Sequence, residues 1–344
     1  MNYNGAIEDT RIDELQKLDW KHEELFGMSS PVEWKEVSKI PKYTIRNQDG
    51  SGACGAFSAC VALGRNEEFD NGKYVNLSPA FIYNLRVDKT REGMAMFNLF
   101  DIMKNYGSIL DEALSSDNLS EQQINSITFS DSQKEDAKKY RAKNYLYSDK
   151  DINTVADIIN KGHTPIFLLR CMIDEWTSEP KVLYPSQTSG FNINHYVPAI
   201  GFGLLNGKKV IVVQDSWGSS FGANGLRFLD EEFIKSRVSV VGYTIDLSTE
   251  EQTTSNKPIH EFQAPINFGQ RGTSVAKLQE ILRYEGFFPA DPTIKLGYFG
   301  SITAQALIKW QLKHGINDFK DIKDLKMVRV GLKTLAKLNE LYAK

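Results

Sequence analysis

The sequence predicts an α+β body followed by a small all-α domain. Three observations carry that reading. A helical stretch opens at Cys54, apolar strand-like runs gather between residues 166 and 213, and the charge balance reverses near residue 250. A chain of 344 residues is about two domains, and 41% hydrophobic with 25% charged residues is ordinary for a globular protein. No run reaches the roughly 18 apolar residues of a membrane-spanning helix.

Residues 1–30 read as an N-terminal extension. It opens without a basic or apolar leader, so no signal peptide is read. A weak helical pattern through Ile12, Leu15 and Leu18 is expected to pack on the body rather than block a cleft. Residues 54 to about 68 read as a long central helix. Residues 77–84 read as a short helix with Ser78 as N-cap and Pro79 in its first turn. A third helix is expected from Gly93 to Tyr106, and residues 117–160 are polar and helical in tendency. The apolar run 166–172 reads as a strand. A second strand enters at His195 and turns at Asn206-Gly207, and Val210-Ile211-Val212-Val213 returns beside it.

A polar stretch ending at Pro258 has linker chemistry. It divides a body at 31–248 from a linker at 249–263 and a second domain at 264–344. Residues 251–344 hold 14 Lys and Arg against 9 Asp and Glu, net +5, whereas residues 1–250 hold 27 against 35, net −8. The C-terminal third carries an internal echo. Gly300-Ser301-Ile302-Thr303 is answered by Gly331-Leu332-Lys333-Thr334 after 31 residues. Each reads as a turn and N-terminal cap ahead of an apolar helical stripe.

Chemistry concentrates in three places. Gln48 precedes Cys54 by six residues in a glycine-rich stretch, and a cysteine at a helix N-terminus is favoured as thiolate. The Gln48 side-chain amide and the Cys54 N–H are then the candidate donors to a developing oxyanion. Of five histidines, His22, His163, His260 and His314 lie in polar, loop or C-terminal settings; His195 enters a core strand. The hairpin brings Asp215 beside it to accept a ring N–H, with Trp217 covering the contact. Cys54, Cys60 and Cys171 are the only cysteines, so no disulfide framework is expected and a reducing compartment fits. Cys60 and Cys171 read as core. No metal-ligand spacing or phosphate loop occurs, so no cofactor is expected.

Gln48 to Cys54, Asn194-His195, and Asp215-Ser216-Trp217-Gly218 running to Phe221-Gly222-Ala223-Asn224-Gly225-Leu226 together resemble the papain family of cysteine peptidases. The resemblance covers about residues 31 to 248 and implies a two-lobed α+β fold. It implies Gln48 as oxyanion donor, Cys54 as nucleophile, His195 as base and acid, and Asp215 as orienting residue. It also implies a substrate pocket from Gly93, Met94, Ala95, Ile193, Asn194, Tyr196 and Trp217. Four departures stand out: Asp215 replaces the family's asparagine, Gly55 an aromatic residue, Ser51 a disulfide cysteine, and Phe221 the second tryptophan. Asp215 is expected to raise the proton affinity of His195. Gly55 is expected to leave the cleft wall less crowded.

Beyond residue 264, Gly269-Gln270-Arg271-Gly272-Thr273-Ser274-Val275, Leu278-Gln279, Phe299-Gly300 with Thr303, and Trp310-Gln311 resemble the three-helix peptidoglycan-binding domain of cell-wall hydrolases. Its positive charge suits an anionic wall, and no basic stripe with interleaved aromatics points to nucleic acid. The two resemblances imply a thiol protease acting on peptide substrates and tethered to peptidoglycan. It would be made in the cytoplasm and act at the bacterial cell wall or in a bacteriophage virion. Two other classes fit the same motifs: a structural protein whose papain-like domain no longer turns over, and an acyltransferase in which an amine intercepts the thioester.

Overall fold

The computed structural model describes residues 5–7, 31–37, 43–48, 50–177, 182–183, 192–245, 257–288, 296–316 and 325–343. The helical pattern expected in residues 9–25 and most of the 249–263 linker lie outside them. The described residues fall into two compact units, 5–7 with 31–245, and 257–343. Among them no helix is long and apolar enough to cross a membrane.

The first unit opens with β1 (Ala6–Ile7) and the central helix α1 (Cys54–Asn71). Every residue of α1 from Cys54 to Arg65 is buried, which explains why it is apolar all round rather than striped. Gly72 ends it in the left-handed conformation, its N–H donating to the Glu68 carbonyl. Helix α2 (Pro79–Asn84) has Ser78 at its N-cap and Pro79 in the first turn, as expected, but the Ser78 hydroxyl caps nothing. Ser116 Oγ does that work, accepting the Ala80 N–H at 2.8 Å and pairing with Ser78 Oγ at 3.0 Å. The helix expected from Gly93 begins later. Strand β2 (Met94–Ala95) precedes α3 (Met96–Asn105), because these two residues pair in parallel with β1 and must stay extended.

Residues 117–160 contain the expected helices α4 (Glu121–Ser126), α5 (Asp131–Ala137) and α6 (Ile152–Asn160), the first two closed by Ser/Gln capping boxes. They also contain β3 (Asn144–Ser148), a strand the polar composition hid. Then follow β4 (Ile166–Cys171), α7 (Ile173–Thr177), β5 (Val182–Leu183), β6 (Ile193–Leu205) and β7 (Lys208–Gln214). The unit closes with β8 (Leu226–Asp230), α8 (Glu231–Arg237) and β9 (Val238–Ile245). Seven strands form one sheet in the order β3-β9-β4-β6-β7-β8-β5, antiparallel except for β5 with β8. The β6–β7 hairpin turns on Asn206 at φ +53° and Gly207 at φ +75°, the geometry a two-residue turn needs between right-twisted strands.

Strand β6 divides the core by alternation. Tyr196 packs with α1, Met94, Leu99 and Phe100 on one side. Ile193 and Val197 pack with Trp176, Trp217 and Phe233 on the other.

The second unit has the three expected helices, α9 (Thr273–Tyr284), α10 (Ser301–Lys313) and α11 (Leu332–Tyr342). It also has an antiparallel ribbon of β10 (Ile266–Asn267) and β11 (Arg329–Val330). The Gly-x-x-Thr echo is structural: each glycine directly precedes its helix, Gly331 at the N-cap of α11, and each threonine has a further partner. Gln279 Nε2 donates to Thr303 Oγ1 and to the Tyr298 carbonyl, both at 2.8 Å. Gln311 Nε2 repeats the pattern with Thr334 Oγ1 at 2.6 Å and the Arg329 carbonyl at 3.2 Å. Each pair ties one helix to the turn that starts the next.

Glu285 knots this unit together. Its carboxylate accepts from Trp310 Nε1 at 2.9 Å, from Lys313 Nζ at 2.9 Å and from the Tyr342 hydroxyl. Burial alone would raise its pKa; the bonds from Tyr342, Lys313 and Trp310 outweigh that and lower it to about 2. The stabilisation is therefore complete above the ordinary carboxylate value and is lost as pH falls through about 2. Glu285→Ala is expected to destabilise this unit by about 1–3 kcal/mol at neutral pH. Thermal unfolding of variant and parent should show a gap at pH 7 that closes toward the acid end.

Candidate active site

The loop entering α1 is built to hold a glutamine. Gln48 donates its backbone N–H to the Ser216 carbonyl at 2.8 Å, and its side-chain Nε2 donates to the Ser51 carbonyl at 3.1 Å. The Ser216 hydroxyl donates to Gln48 Oε1. The amide is thus fixed at both ends, and one Nε2 hydrogen remains for a ligand. Ser51 stands where the resemblance has a disulfide cysteine, and its hydroxyl donates to the Gln48 carbonyl at 3.1 Å. Ion pairs brace the surroundings: Arg46 with Asp111 at 2.8 Å and Asp117 at 2.7 Å, and Arg86 with Glu121. Glu121 also accepts the Gly52 N–H at 3.2 Å. A Cβ at Gly52 would lie 2.6 Å from the Gly93 nitrogen, so only glycine lets this loop approach so closely.

Cys54 is the first residue of α1, where the backbone N–H groups have no helical partner. Its side chain is fully buried, and β1 is the reason. The Gly5 carbonyl accepts the Met94 N–H at 3.2 Å, and Ala6 and Ile7 pair with Met94 and Ala95. A Cβ on Gly5 would sit 2.5 Å from Cys54 Sγ and 2.6 Å from the Gly52 carbonyl. The chain's own N-terminal strand therefore lies across the cysteine. Residues 5–7 thus cover the cleft, while the segment expected to pack on the body, residues 9–25, lies outside the described residues.

His195 lies on β6 opposite Leu169 of β4, and Asp215 follows β7. His195 Nε2 and Asp215 Oδ1 are 2.9 Å apart, so Nε2 donates to the carboxylate and Nδ1 is left to face Cys54. Both side chains are buried. Burial opposes protonation of His195, but the hydrogen bond it donates to Asp215 and the interaction with Cys54 prevail and raise its pKa to about 9. Burial likewise opposes ionisation of Asp215, and the hydrogen bond and charge of His195 together with Arg227 lower it to about 2. The Trp217 ring lies 5.0 Å from the imidazole, centroid to centroid.

Gln48, Cys54, His195, Asp215 and Trp217 thus converge. The expected pocket divides. Met94 and Tyr196 meet over Gly55, whereas Ile193 faces the opposite core with Trp176 and Trp217, because residues 193 and 196 point to opposite faces of the strand. Asn194 pairs with Arg170, and the Gly93 N–H donates to Tyr83 Oη at 2.6 Å. The wall beside Gly55 is not open: a Cβ there would meet Tyr196 at 3.1 Å and Met94 at 3.3 Å. These two side chains fill the space expected to be vacant.

Two residues of the site escaped the sequence reading. Trp176 Nε1 and Arg227 Nε donate to Asp215 Oδ2 at 2.8 and 2.9 Å. Trp176 gave no signal. Arg227 did, since an arginine inside the apolar run Leu226-Arg227-Phe228-Leu229 demands a buried partner. The remaining histidines lie elsewhere. His163 packs on Tyr243, His260 on Phe262, and His314 on Trp310; His22 is outside the described residues. Cys60 and Cys171 are buried and unbridged, and burial pushes both thiols up.

Comparison with known proteins identifies the families of the two parts. Residues 28–243 match the model of papain family cysteine proteases, and residues 271–318 match that of a peptidoglycan binding domain. The KDEL-tailed cysteine endopeptidase CEP2 of Arabidopsis thaliana is 24% identical over 253 residues, 70% of this chain and 66% of that protein. Cysteine proteinase 3 of Dictyostelium discoideum is 26% identical over 210 residues, 56% of each. The chain thus spans between about half and two thirds of these relatives. Xylellain, a cysteine protease from Xylella fastidiosa, shares the fold with a TM-score of 0.58 at 16% identity, covering 71% of this chain and 97% of that one. The chain belongs to the papain family of cysteine proteases, with a peptidoglycan-binding domain after it.

Proposed function

We propose that this chain is a cysteine peptidase that cleaves peptide bonds at the bacterial cell wall, held there by its C-terminal domain. The observation that carries the reading is the convergence of Cys54, His195 with Asp215, and Gln48 from three separate segments. The Cys54 thiol passes its proton to His195 Nδ1, its sulfur attacks the scissile carbonyl carbon, and the oxyanion is held by Gln48 Nε2 and the Cys54 N–H. The tetrahedral intermediate expels the amine, which takes its proton from His195. Water, deprotonated by His195, then attacks the thioester, and the carboxylic acid leaves as the thiol is restored. Asp215 keeps the imidazole oriented throughout.

The peptidoglycan-binding domain supports a wall peptide or wall-associated protein as substrate, and action as a lysin or virion component is the specific form we favour. Tethering raises local concentration without altering the chemistry. The test joins two measurements. A thiol-directed peptidyl electrophile should label the parent and not Cys54→Ala, and purified sacculi incubated with the parent should gain new amino termini. A folded protein that stays unlabelled even after residues 1–8 are removed would sink the peptidase reading. Equal sedimentation of the full chain and residues 1–250 with sacculi would sink the tether.

A further inference from the structure

Asp215 sits in a ring of donors. Oδ1 takes His195 Nε2 at 2.9 Å and the Ser216 N–H at 2.8 Å; Oδ2 takes Trp176 Nε1 at 2.8 Å and Arg227 Nε at 2.9 Å. All four partners face it as donors, and a carboxylate offers acceptors on both oxygens. An asparagine, which the family resemblance carries here, has one acceptor oxygen and would turn its NH2 against two of these donors. Arg227 alone in the ring carries a permanent charge. It is fully buried, and its guanidinium lies 4.4 Å from the Trp176 ring. The fold puts it there by register. Arg227 pairs with Val213 across β7 and β8, and Asp215 lies two residues on, toward the same face.

We propose that Arg227 is a positioning residue of this site. It and Asp215 form one charge-balanced unit that holds the imidazole of His195, doing together what a neutral asparagine would do alone. The inference rests on the reading of His195 as the acid and base of a peptidase. Two consequences follow from the geometry. Neutralising Asp215 alone strands a buried cation beside the imidazole, and removing Arg227 alone leaves the full anionic charge facing it. Removing both charges restores balance.

The ionisable groups around this unit come from several elements. Cys54 faces His195 from α1. Cys171 of β4 lies within reach of the Asp215 and Arg227 charges, and the Glu175–Arg237 ion pair, at 3.2 Å, approaches Cys171 from α7 and α8. None of these is altered in the test below.

Four full-length proteins decide the matter: the parent, Asp215→Asn, Arg227→Met and the double variant. Two readouts apply to each. One is the rate at which the peptidyl electrophile labels Cys54. The other is the titration of His195, followed by NMR with labelled histidine and assigned through His195→Gln. Asp215→Asn should slow labelling roughly tenfold or more, and the double variant should recover most of that loss. Arg227→Met should shift the His195 titration upward by about one unit, because a nearby cation is gone. Asp215→Asn should shift it downward, and the double variant should lie between. A double variant no faster than Asp215→Asn would overturn the proposal, as would a His195 titration unmoved in Arg227→Met. If Asp215→Asn fails to fold, the Arg227→Met titration decides alone. Failure of the peptidase reading looks different: the protein goes unlabelled even with residues 1–8 removed, while the titrations still report on Arg227.

Discussion

Replacing His195 by alanine is expected to lower peptide hydrolysis by about 10²–10⁴-fold without unfolding the protein. On the proposed mechanism the rate falls because the group that would protonate the leaving amine and activate water is gone. The fold survives because Asp215 keeps the Ser216 N–H, Trp176 and Arg227. The same variant carries a pH signature. The pKa of His195 is raised, so the folded state binds its proton more tightly than the unfolded chain. That stabilisation is complete below the ordinary histidine value of about 6.5 and drains away as pH rises toward about 9. His195→Ala should therefore melt lower than the parent at pH 6, and the gap should narrow by pH 9. In the parent, hydrolysis should decline above about pH 9, where the imidazolium is lost. Melting curves and kcat/KM measured across that range check both limbs. A gap that widens with pH would mean His195 is held neutral.

The second large effect concerns the strand across the cleft. Deleting residues 1–8 is expected to speed alkylation of Cys54 by iodoacetamide roughly 30–100-fold. That corresponds to the backbone pairing of β1 plus the burial of Ala6, together about 2–3 kcal/mol. Gly5→Leu should act the same way with the chain intact. A side chain at that position would lie 2.5 Å from Sγ and 2.6 Å from the Gly52 carbonyl, neither of which can retreat far from a helix start and a braced loop. Cys60 and Cys171 serve as internal controls, since both stay buried in either form. Peptide mass spectrometry of time-resolved alkylation reads all three thiols at once. An unchanged Cys54 rate would show that the strand opens freely and guards nothing.

Much of the first unit was legible in one dimension because its signals are local. The hairpin followed from Asn206-Gly207, where two positive φ angles select residues that tolerate them. Helix α1 followed from its start at Cys54 and its apolar run. Strand β3 was hidden because its short Tyr-Leu-Tyr centre lies within a long polar stretch, and its place is fixed by pairing with β9 and by burial of Leu146 and Tyr147. The Gly-x-x-Thr echo marked two helix starts, but the bonds its threonines accept are tertiary and left no local signal. Their glutamine partners lie 24 and 23 residues away in sequence.

The sequence by itself determined the reactive types and their order along the chain: a glutamine and a cysteine at a helix start, a histidine entering a strand, and an acid at the end of its hairpin. These depend on backbone periodicity and turn chemistry, which neighbours within a few residues decide. Only the tertiary structure decided what surrounds them. Arg227 and Trp176 reach Asp215 through strand register and a separate helix. Tyr196 and Met94 fill the space at Gly55 from two other elements, and the strand Ala6–Ile7 closes over Cys54 from almost 50 residues away. Buried charges and close packing are satisfied by whatever the fold brings near, and that proximity has no trace in the linear spacing of the residues.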